Sequence, residues 1–208
     1  ATITHAATSA DAAYQGISIA SVTAQISDND TASFTISPTS GLTTTEAGGT
    51  ATFTVKLTSQ PTANVTLGLS SNDLTEGTVS PASLVFTSGN WNTAQTVTVT
   101  GVDDDVDDGD VTYTVLTAAA TSGDANYHNL NAADVSVTNT DNDTAGITVS
   151  PTSGLTTTEG GGTDTFTIVL NSQPTADVTI GLTSNDTTEG TVAPASVTFT
   201  AANWSTPQ

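Results

Sequence analysis

Six aspartates occupy eight consecutive positions in the segment DDDVDDGD, residues 103 to 110. The whole chain holds 21 acidic residues, one lysine and no arginine, which gives a formal net charge of -20. Carboxylates about 4 Å apart repel by roughly 1 kcal/mol in water and about 4 kcal/mol near a protein surface. A cation bound among them would relieve this repulsion. Calcium, which takes about six to eight oxygen ligands, suits such a loop better than zinc, which prefers nitrogen and sulfur.

Acidic residues outside this loop recur at fixed spacing. The pairs are Glu46 with Glu159, Asp73 with Asp186, Glu76 with Glu189, and the triplet at 28–30 with that at 141–143. The alternative for the loop is a solvated charge run that binds nothing. We favour calcium because the loop is a short connection between two predicted strands. The EF-hand pattern fails, since its glycine position is Asp108 and its final glutamate position is Thr114.

The composition also excludes several classes of function. A strongly acidic chain repels the phosphates of nucleic acids and of anionic membranes. No cysteine is present, which excludes disulfides and thiolate zinc sites. The two histidines, His5 and His128, face glutamine or alanine at the equivalent repeat positions, and no nucleophile motif accompanies them. We therefore expect no enzyme activity. No apolar run long enough for a membrane span is seen, and the lack of methionine indicates an excerpt from a longer chain.

The sequence repeats itself with a period of 113 residues. Residues 31–95 and 144–208 share 46 identities in 65 aligned positions, and SDND at Ser27 returns as TDND at Thr140. We therefore predict the C-terminal part of one repeat over 1–30, a complete repeat over 31–143, and the N-terminal part of a third over 144–208. Self-similarity at a fixed period is typical of tandem arrays.

Within the complete repeat, short runs alternate apolar and polar residues between turn residues. Such period-two patterns predict half-buried strands. The runs are ASFTI, ATFTVKL, NVTLGL, SLVFT, QTVTVT, VTYTVL and DVSVT. About seven strands without a helical stretch predict an all-β fold of tandem immunoglobulin-like antiparallel β-sandwiches. Trp91 and Trp204 occupy the same repeat position. We expect them at the edge of the core, although an exposed tryptophan would suit carbohydrate stacking.

Three motifs carry a resemblance to a known family. TTTEAGGTATFTVKL at Thr43, QTVTVTGVDDDVDDGDVTYTV at Gln95 and VSVTNTDNDTAG at Val135 together resemble the Calx-β repeats. That family has a glutamate near its start, an acidic loop of the form V-x-D-D-D-x-x-E-x-D-E, and a closing D-x-D before A-G. Its acids meet at one end of an immunoglobulin-like sandwich and bind several calcium ions. The resemblance covers most of residues 31–143.

The resemblance implies a set of calcium ligands by position. These are Glu46, Asp103, Asp104, Asp105, Asp107, Asp110, Asp141 and Asp143. The chain has Asp107 and Asp110 where the family has loop glutamates, and Asn142 in the middle of the closing triplet. A secondary group lies where the family pattern is replaced or incomplete, namely Asp73, Glu76, Asp28, Asp30 and Glu159.

Near-identical acidic repeats are typical of the extender regions of large bacterial surface proteins. We therefore expect a calcium-stiffened structural repeat of an extracellular stalk, adhesin extender or filament at the cell surface. The alternative is a binding module that recognises a glycan or protein receptor. The expected partners are calcium ions and neighbouring copies or repeats arranged head to tail. One form of such assembly would have residues 1–30 of one copy complete residues 144–208 of the next.

Overall fold

The computed structural model describes residues 1–208, which divide into two compact units, Ala1–Thr31 and Ala32–Gln208. Its regular secondary structure is entirely β-strand, and no helix long and apolar enough to cross a membrane is present. The strands in chain order are β1 (Thr2–Ile3), β2 (Val22–Thr23), β3 (Phe34–Ser37), β4 (Leu42–Thr45), β5 (Thr50–Leu57), β6 (Val65–Ser71), β7 (Gly77–Ser80), β8 (Ser83–Phe86), β9 (Gln95–Gly101), β10 (Val111–Thr117), β11 (Thr121–Ser122), β12 (Val135–Thr140), β13 (Ile147–Ser150), β14 (Thr167–Leu170), β15 (Val178–Gly181) and β16 (Ser196–Phe199). The predicted all-β class is confirmed.

Residues 32–143 form two sheets. One has four antiparallel strands in the order β3-β5-β9-β7. The other has six strands, with β11-β6-β10-β12-β4 in order and β8 also paired to β6. One apolar cluster takes side chains from both sheets, including Phe53 and Val97 from the first and Leu67, Tyr113 and Val137 from the second. The two sheets therefore pack face to face as a sandwich.

Strand alternation explains which side chains enter this core. Successive residues of a strand point to opposite faces, and Phe53, Val55 and Leu57 of β5 are all buried while Lys56 between them is exposed. Burying each such side chain stabilises the fold by about 1.5–3 kcal/mol. Trp91 is partly buried against the same cluster, as expected for a residue at the edge of the core.

All seven strands predicted from sequence are present, and three short ones, β4, β7 and β11, were not predicted. Strand β4 pairs with β12 in parallel, from Leu42 opposite Val137 to Thr45 opposite Thr140. The sandwich is therefore not purely antiparallel, contrary to the expectation from sequence. With one apolar residue in four, β4 has little alternation of its own, and its partner lies about 95 positions further along the chain.

Residues 144–208 reproduce only part of this pattern. Strands β13 and β14 pair with each other, as do β15 and β16. They correspond by the 113-residue shift to β3, β5, β6 and β8. The counterparts of β4 and β7, at 155–158 and 190–193, are not strands. In the complete repeat β4 pairs with β12 and β7 with β9.

The first unit contains a single two-stranded ladder, β1 with β2. Thr2 pairs with Thr23 and Ile3 with Val22. In the complete repeat, the counterparts of Thr2 and Val22 are Val115 and Val135, and these two residues pair with each other. In the first unit Thr2 pairs instead with Thr23, so the register is shifted by one residue. Register is weakly specified where neither face is buried. Both strands are exposed here, so no core selects the register.

A turn before β12 closes one end of the complete repeat. Asp124 accepts hydrogen bonds from the Thr62 amide at 2.8 Å and from the Asn126 amide at 2.9 Å. These bonds lower the pKa of Asp124 below its ordinary value of 3.8. Three residues on, the Tyr127 hydroxyl donates to the Ser59 carbonyl at 2.7 Å. The turn is thus fastened to the β5–β6 connection by a carboxylate and a phenol.

We predict that Asp124→Asn lowers the urea midpoint at neutral pH. Because the folded pKa is lowered, the stabilisation by this carboxylate is present above about pH 4 and is lost as pH falls through the folded value. The difference between wild type and variant should therefore shrink below pH 4. Urea denaturation at several pH values measures it. Asp177→Asn, at an exposed position, serves as control and should match wild type, and a difference that persists unchanged at low pH would contradict the assignment.

Candidate metal centre

The parallel pair β4–β12 brings together acids that are far apart in sequence. Its last paired residues are Thr45 and Thr140, and the Glu46 amide continues the ladder by donating to the Thr140 carbonyl at 3.1 Å. Parallel strands leave a sheet at the same end. Glu46 and the closing triplet 141–143 therefore emerge side by side, next to the acidic loop 103–110 that joins β9 to β10.

Glu46, Asp141 and Asp143 form the first acidic group. One carboxylate oxygen from each lies within 4.8 Å of the others. Glu46 is buried, and its Oε2 accepts a bond from the Asn142 amide at 3.0 Å. The Oδ2 atom of Asp143 is buried and has no hydrogen-bond partner. A buried, partnerless carboxylate oxygen is costly unless a cation approaches it.

The pKa values of this group are shifted in opposite directions. Burial raises the pKa of Glu46, although the Asn142 amide opposes the rise, and burial together with the Asp141 charge raises the pKa of Asp143. The amides of Asp143 and Gly109 lower the pKa of Asp141 by donating to its carboxylate. Asp141 is thus held ionised beside two carboxyls whose charged forms are disfavoured. Positive charge at this point would favour ionisation of all three.

Glu76, Asp104 and Asp108 form the second group, with one oxygen from each within 4.8 Å of the others. Glu76 is buried, and its Oε2 accepts from Asn139 Nδ2 at 3.4 Å. Burial raises the pKa of Glu76, and burial and the Asp104 charge raise the pKa of Asp108. The structure therefore places two acidic groups, both joined to the same loop, that could hold metal ions.

A buried polar network lies beneath the second group. Thr44 Oγ1 donates to Asn139 Oδ1 at 3.0 Å and lies 3.4 Å from the Tyr113 hydroxyl. Asn139 Nδ2 also donates to the Val102 carbonyl at 3.1 Å. Thr44 and Asn139 lie on the paired strands β4 and β12. The β4–β12 ladder therefore orients the Glu76 carboxylate through this network, and the same ladder positions Glu46 and Asp141 of the first group.

Gly101 allows this close approach. A Cβ atom there would collide with the Thr45 carbonyl and with Asn139 Oδ1. Backbone and a buried amide cannot move away cheaply, so any larger residue would push β9 from β4. Gly109 has a different role, since its φ of +78° turns the acidic loop so that its amide donates to Asp141 Oδ2 at 2.7 Å.

The structure separates the predicted ligands by what they contact. Asp103 Oδ1 accepts from Asn142 Nδ2 at 3.0 Å, and Asp110 Oδ1 accepts from the Asp141 amide at 3.2 Å. These two hold the closing triplet rather than joining either acidic group. Asp105 lies near enough to Asp143 for its charge to raise the pKa of Asp143.

Two further contacts link the acidic loop to the following partial repeat. Asp107 Oδ2 accepts from the Ala145 amide at 2.7 Å, and the Asp105 carbonyl accepts from the Gln173 amide at 2.6 Å. Ala145 and Gln173 belong to the stretch that repeats residues 31–95. The loop therefore contacts its own repeat and the next one.

The secondary candidates divide unevenly. Glu76 is in the second group, whereas Asp73 caps a turn through the Thr75 amide at 3.0 Å and the Thr75 hydroxyl at 2.6 Å. Asp28, Asp30 and Glu159 are exposed and in neither group. Asp108 was not predicted, because the sequence analysis assigned the family's loop glutamate to Asp107, although the pattern aligned on Asp103–Asp105 places it at Asp108. A search that treated every loop aspartate alike would have included it.

The sequence matches no protein-family model and no curated protein, so the Calx-β resemblance rests on the motifs alone. Solved structures show low similarity. A Caenorhabditis elegans MSP family member has 10% identity over 51% of this chain and 95% of its own, with a TM-score of 0.34. The chaperone–tip adhesion subunit pre-assembly complex of Csu pili from Acinetobacter baumannii has 8% identity over 83% of this chain and 92% of its own, with a TM-score of 0.39. Domains 1–6 of the surface layer protein SbsC have 16% identity over 78% of this chain and 20% of their own, with a TM-score of 0.31.

We predict that Asp143→Asn changes the melting temperature in opposite directions in chelator and in calcium. In EDTA the variant removes a repelled, buried negative charge and should melt higher than wild type. In millimolar calcium it removes a ligand and should melt lower. Differential scanning calorimetry measures both. Asp134→Asn is the control, because it removes an acid that bonds to Thr117, and its melting temperature should change by the same amount in both buffers. If Asp143→Asn changes the melting temperature in the same direction in both buffers, a metal role is contradicted.

We also predict that Gly101→Ala destabilises the complete repeat by about 1–3 kcal/mol, the usual cost of overpacking. Its Cβ meets backbone and a buried amide, as described above. Gly89→Ala is the matched control, because a Cβ there has only the Thr87 hydroxyl at 3.8 Å. Chemical denaturation of the two variants should separate them clearly, and equal midpoints would show that β9 can move away from β4.

Proposed function

We propose that the chain is a calcium-stiffened structural repeat of an extracellular stalk, adhesin extender or filament. One observation carries the proposal: Asp143 Oδ2 is buried without a partner in a group with Glu46 and Asp141. That group lies where the complete repeat leads into the next. Neither acidic group contains a basic residue, since the chain's one lysine, Lys56, lies on β5.

Glu46, Asp141 and Asp143 would hold one ion, and Glu76, Asp104 and Asp108 a second. Calcium supplies two positive charges and accepts about six to eight oxygen ligands at flexible geometry. The donor set consists of carboxylate oxygens, which hard cations prefer, and lacks the nitrogen and sulfur typical of zinc sites. Asp103, Asp107 and Asp110 each use one carboxylate oxygen in a bond to the closing segment. Their second oxygens, with the carboxylate of Asp105, remain candidate ligands.

The chain's own contacts explain how the site would stiffen the joint. The loop bonds to Asn142 and Asp141 in the closing triplet, and to Ala145 and Gln173 beyond it. Without positive charge, the loop and the triplet repel each other and those bonds are weakened. With the charge balanced, the loop fastens both sides of the joint at once. Extracellular calcium modules have Kd values of about 10⁻⁴ to 10⁻³ M, so such sites would fill outside the cell.

The alternative function, a module that binds a glycan or protein receptor, gains no support from the tryptophans. Trp91 and Trp204 are each packed against an apolar cluster. Glycan stacking needs an exposed aromatic face. The structural role is therefore the function that we propose.

Calcium should raise the melting temperature, since a ligand that binds only the folded state at 100 times its Kd stabilises it by about 2.7 kcal/mol per site. The joint itself is tested by amide hydrogen exchange. The Ala145 and Gln173 amides should exchange more slowly in millimolar calcium than in EDTA. Asp107→Asn should weaken the effect at Ala145. Magnesium at equal concentration is a control for charge screening.

The Thr62 amide is the internal control, because it bonds to Asp124 outside the acidic groups. Its exchange should report only the global change in stability. An unchanged melt in EDTA would refute calcium binding. A higher melt with no added protection at Ala145 and Gln173 would instead show that calcium stabilises the repeat without fixing the joint.

A further inference from the structure

The middle residue of the closing triplet, Asn142, donates hydrogen bonds to two acids. Its backbone amide donates to Glu46 Oε2 at 3.0 Å, and its side-chain Nδ2 donates to Asp103 Oδ1 at 3.0 Å. Glu46 follows β4 in the six-stranded sheet, and Asp103 follows β9 in the four-stranded sheet. Asn142 therefore links acids that emerge from both sheets of the sandwich.

Asp103 lies close to other acids, yet it belongs to neither acidic group. After burial and the larger effects of two other aspartates, the Asp103 charge also raises the pKa of Asp143. Asp103 is therefore within the electrostatic field of the first group. A carboxylate at such a place needs a donor or a cation to offset the repulsion. For the Oδ1 atom of Asp103, the donor is the uncharged amide of Asn142.

The last aspartate of the acidic loop is held in a similar way. Asp110 Oδ1 accepts from the Asp141 amide at 3.2 Å, and the Gly109 amide donates to Asp141 Oδ2 at 2.7 Å. Both ends of the loop are thus bonded to the closing triplet by uncharged amide donors. The two loop acids of the second group, Asp104 and Asp108, lie between these ends.

The turn of the closing triplet does not depend on its middle side chain. Asp141 Oδ1 accepts from the Asp143 amide at 2.7 Å, as in turns where an aspartate bonds to the backbone two residues on. The corresponding triplet of the first unit has the same bond, from the Asp30 amide to Asp28 Oδ1 at 3.0 Å. A substitution at position 142 should therefore leave this backbone bond in place.

An asparagine amide and a metal ion offset the charge of a carboxylate in different ways. The amide nitrogen donates hydrogen bonds and carries no net charge, whereas calcium brings two positive charges and needs about six to eight oxygen ligands. The Nδ2 atom lies between Asp103 and the triplet, where an ion shared by the two would have to bind. Asparagine is the middle residue of both triplets, at Asn29 and Asn142, so this amide is a feature of the repeat.

We propose that Asn142 limits the metal centre to two ions, because its uncharged amide holds Asp103 at the place where a third ion would otherwise bind. The inference rests on the proposed function, since it sets the number of ions in the same centre. Asn142 acts as a positioning residue. It fastens the start of the acidic loop to the triplet without metal, and the ions bind the acids of the two groups.

The substitution Asn142→Asp tests this role. It replaces the donor with a carboxylate of nearly the same shape, so the bond to Asp103 becomes a repulsion. In EDTA the variant should melt well below wild type. In millimolar calcium a third ion should bind between the two carboxylates, so the rise in melting temperature on adding calcium should exceed that of wild type. Equilibrium dialysis against radiolabelled calcium counts the ions, and we expect two per chain in wild type and three in the variant.

Two further variants separate the added charge from the lost bond. Asn142→Ala loses the side-chain bond and gains no ligand, so it should melt slightly below wild type in EDTA and still bind two ions. Asn131→Asp adds the same charge at an exposed position before β12, at the opposite end of that strand from the triplet. It should match wild type in both measurements. Circular dichroism shows whether each variant is folded, and the dialysis is made in calcium, where the repulsion is offset.

The outcomes distinguish this inference from the proposed function. Wild type that binds no calcium would refute both. Two ions in wild type and also in Asn142→Asp would refute the inference alone. Three ions in wild type would do the same, because Asn142 would then exclude none. An Asn142→Asp variant that is as stable as wild type in EDTA would show that the amide does not hold Asp103.

Discussion

Repulsion among carboxylates at one end of the sandwich is the constraint on which the rest of the site depends. Glu46, Asp141 and Asp143 are held within 4.8 Å by the ends of two paired strands, not by any attraction among themselves. The backbone ladder can hold such groups together, because separating the strands would leave buried N–H and C=O groups without hydrogen-bond partners. The fold thus holds like charges close together at one end of the sandwich, and a bound cation would offset their repulsion.

The hydrogen bonds around the acids limit this cost without removing it. Backbone amides of Gly109 and Asp143 donate to Asp141, and the Asn142 amide donates to Glu46. Amide donors favour the charged form of a carboxylate. Asp143 Oδ2 receives none. The arrangement keeps the acids ionised and in place while leaving oxygen atoms for an ion.

The sequence was sufficient to predict the strands of the complete repeat, because their alternating pattern is a local signal. The resemblance of three motifs to a known family implied Glu46, Asp104, Asp141 and Asp143 as ligands, and the structure places these four acids in the two acidic groups. Their role as metal ligands stays a prediction. The parallel β4–β12 pair was not predictable in this way, because LTTT has almost no alternation and its register depends on a partner about 95 positions away. The position of Glu76 depends on that pairing too, because Asn139, which donates to Glu76, accepts a hydrogen bond from Thr44 on the paired strand. Long-range register is therefore what the sequence pattern lacks.

The distance in sequence between β4 and β12 also sets the order in which the molecule can be built. Contacts between distant residues form late, because chain entropy must be lost before they stabilise anything. A chain that leaves the ribosome N-terminus first presents Glu46 long before Asp141 and Asp143. The acidic site is therefore assembled only when the last strand of the repeat has arrived. Each repeat is therefore complete before its acidic end forms, and a chain synthesised from its N-terminus forms these ends one repeat at a time.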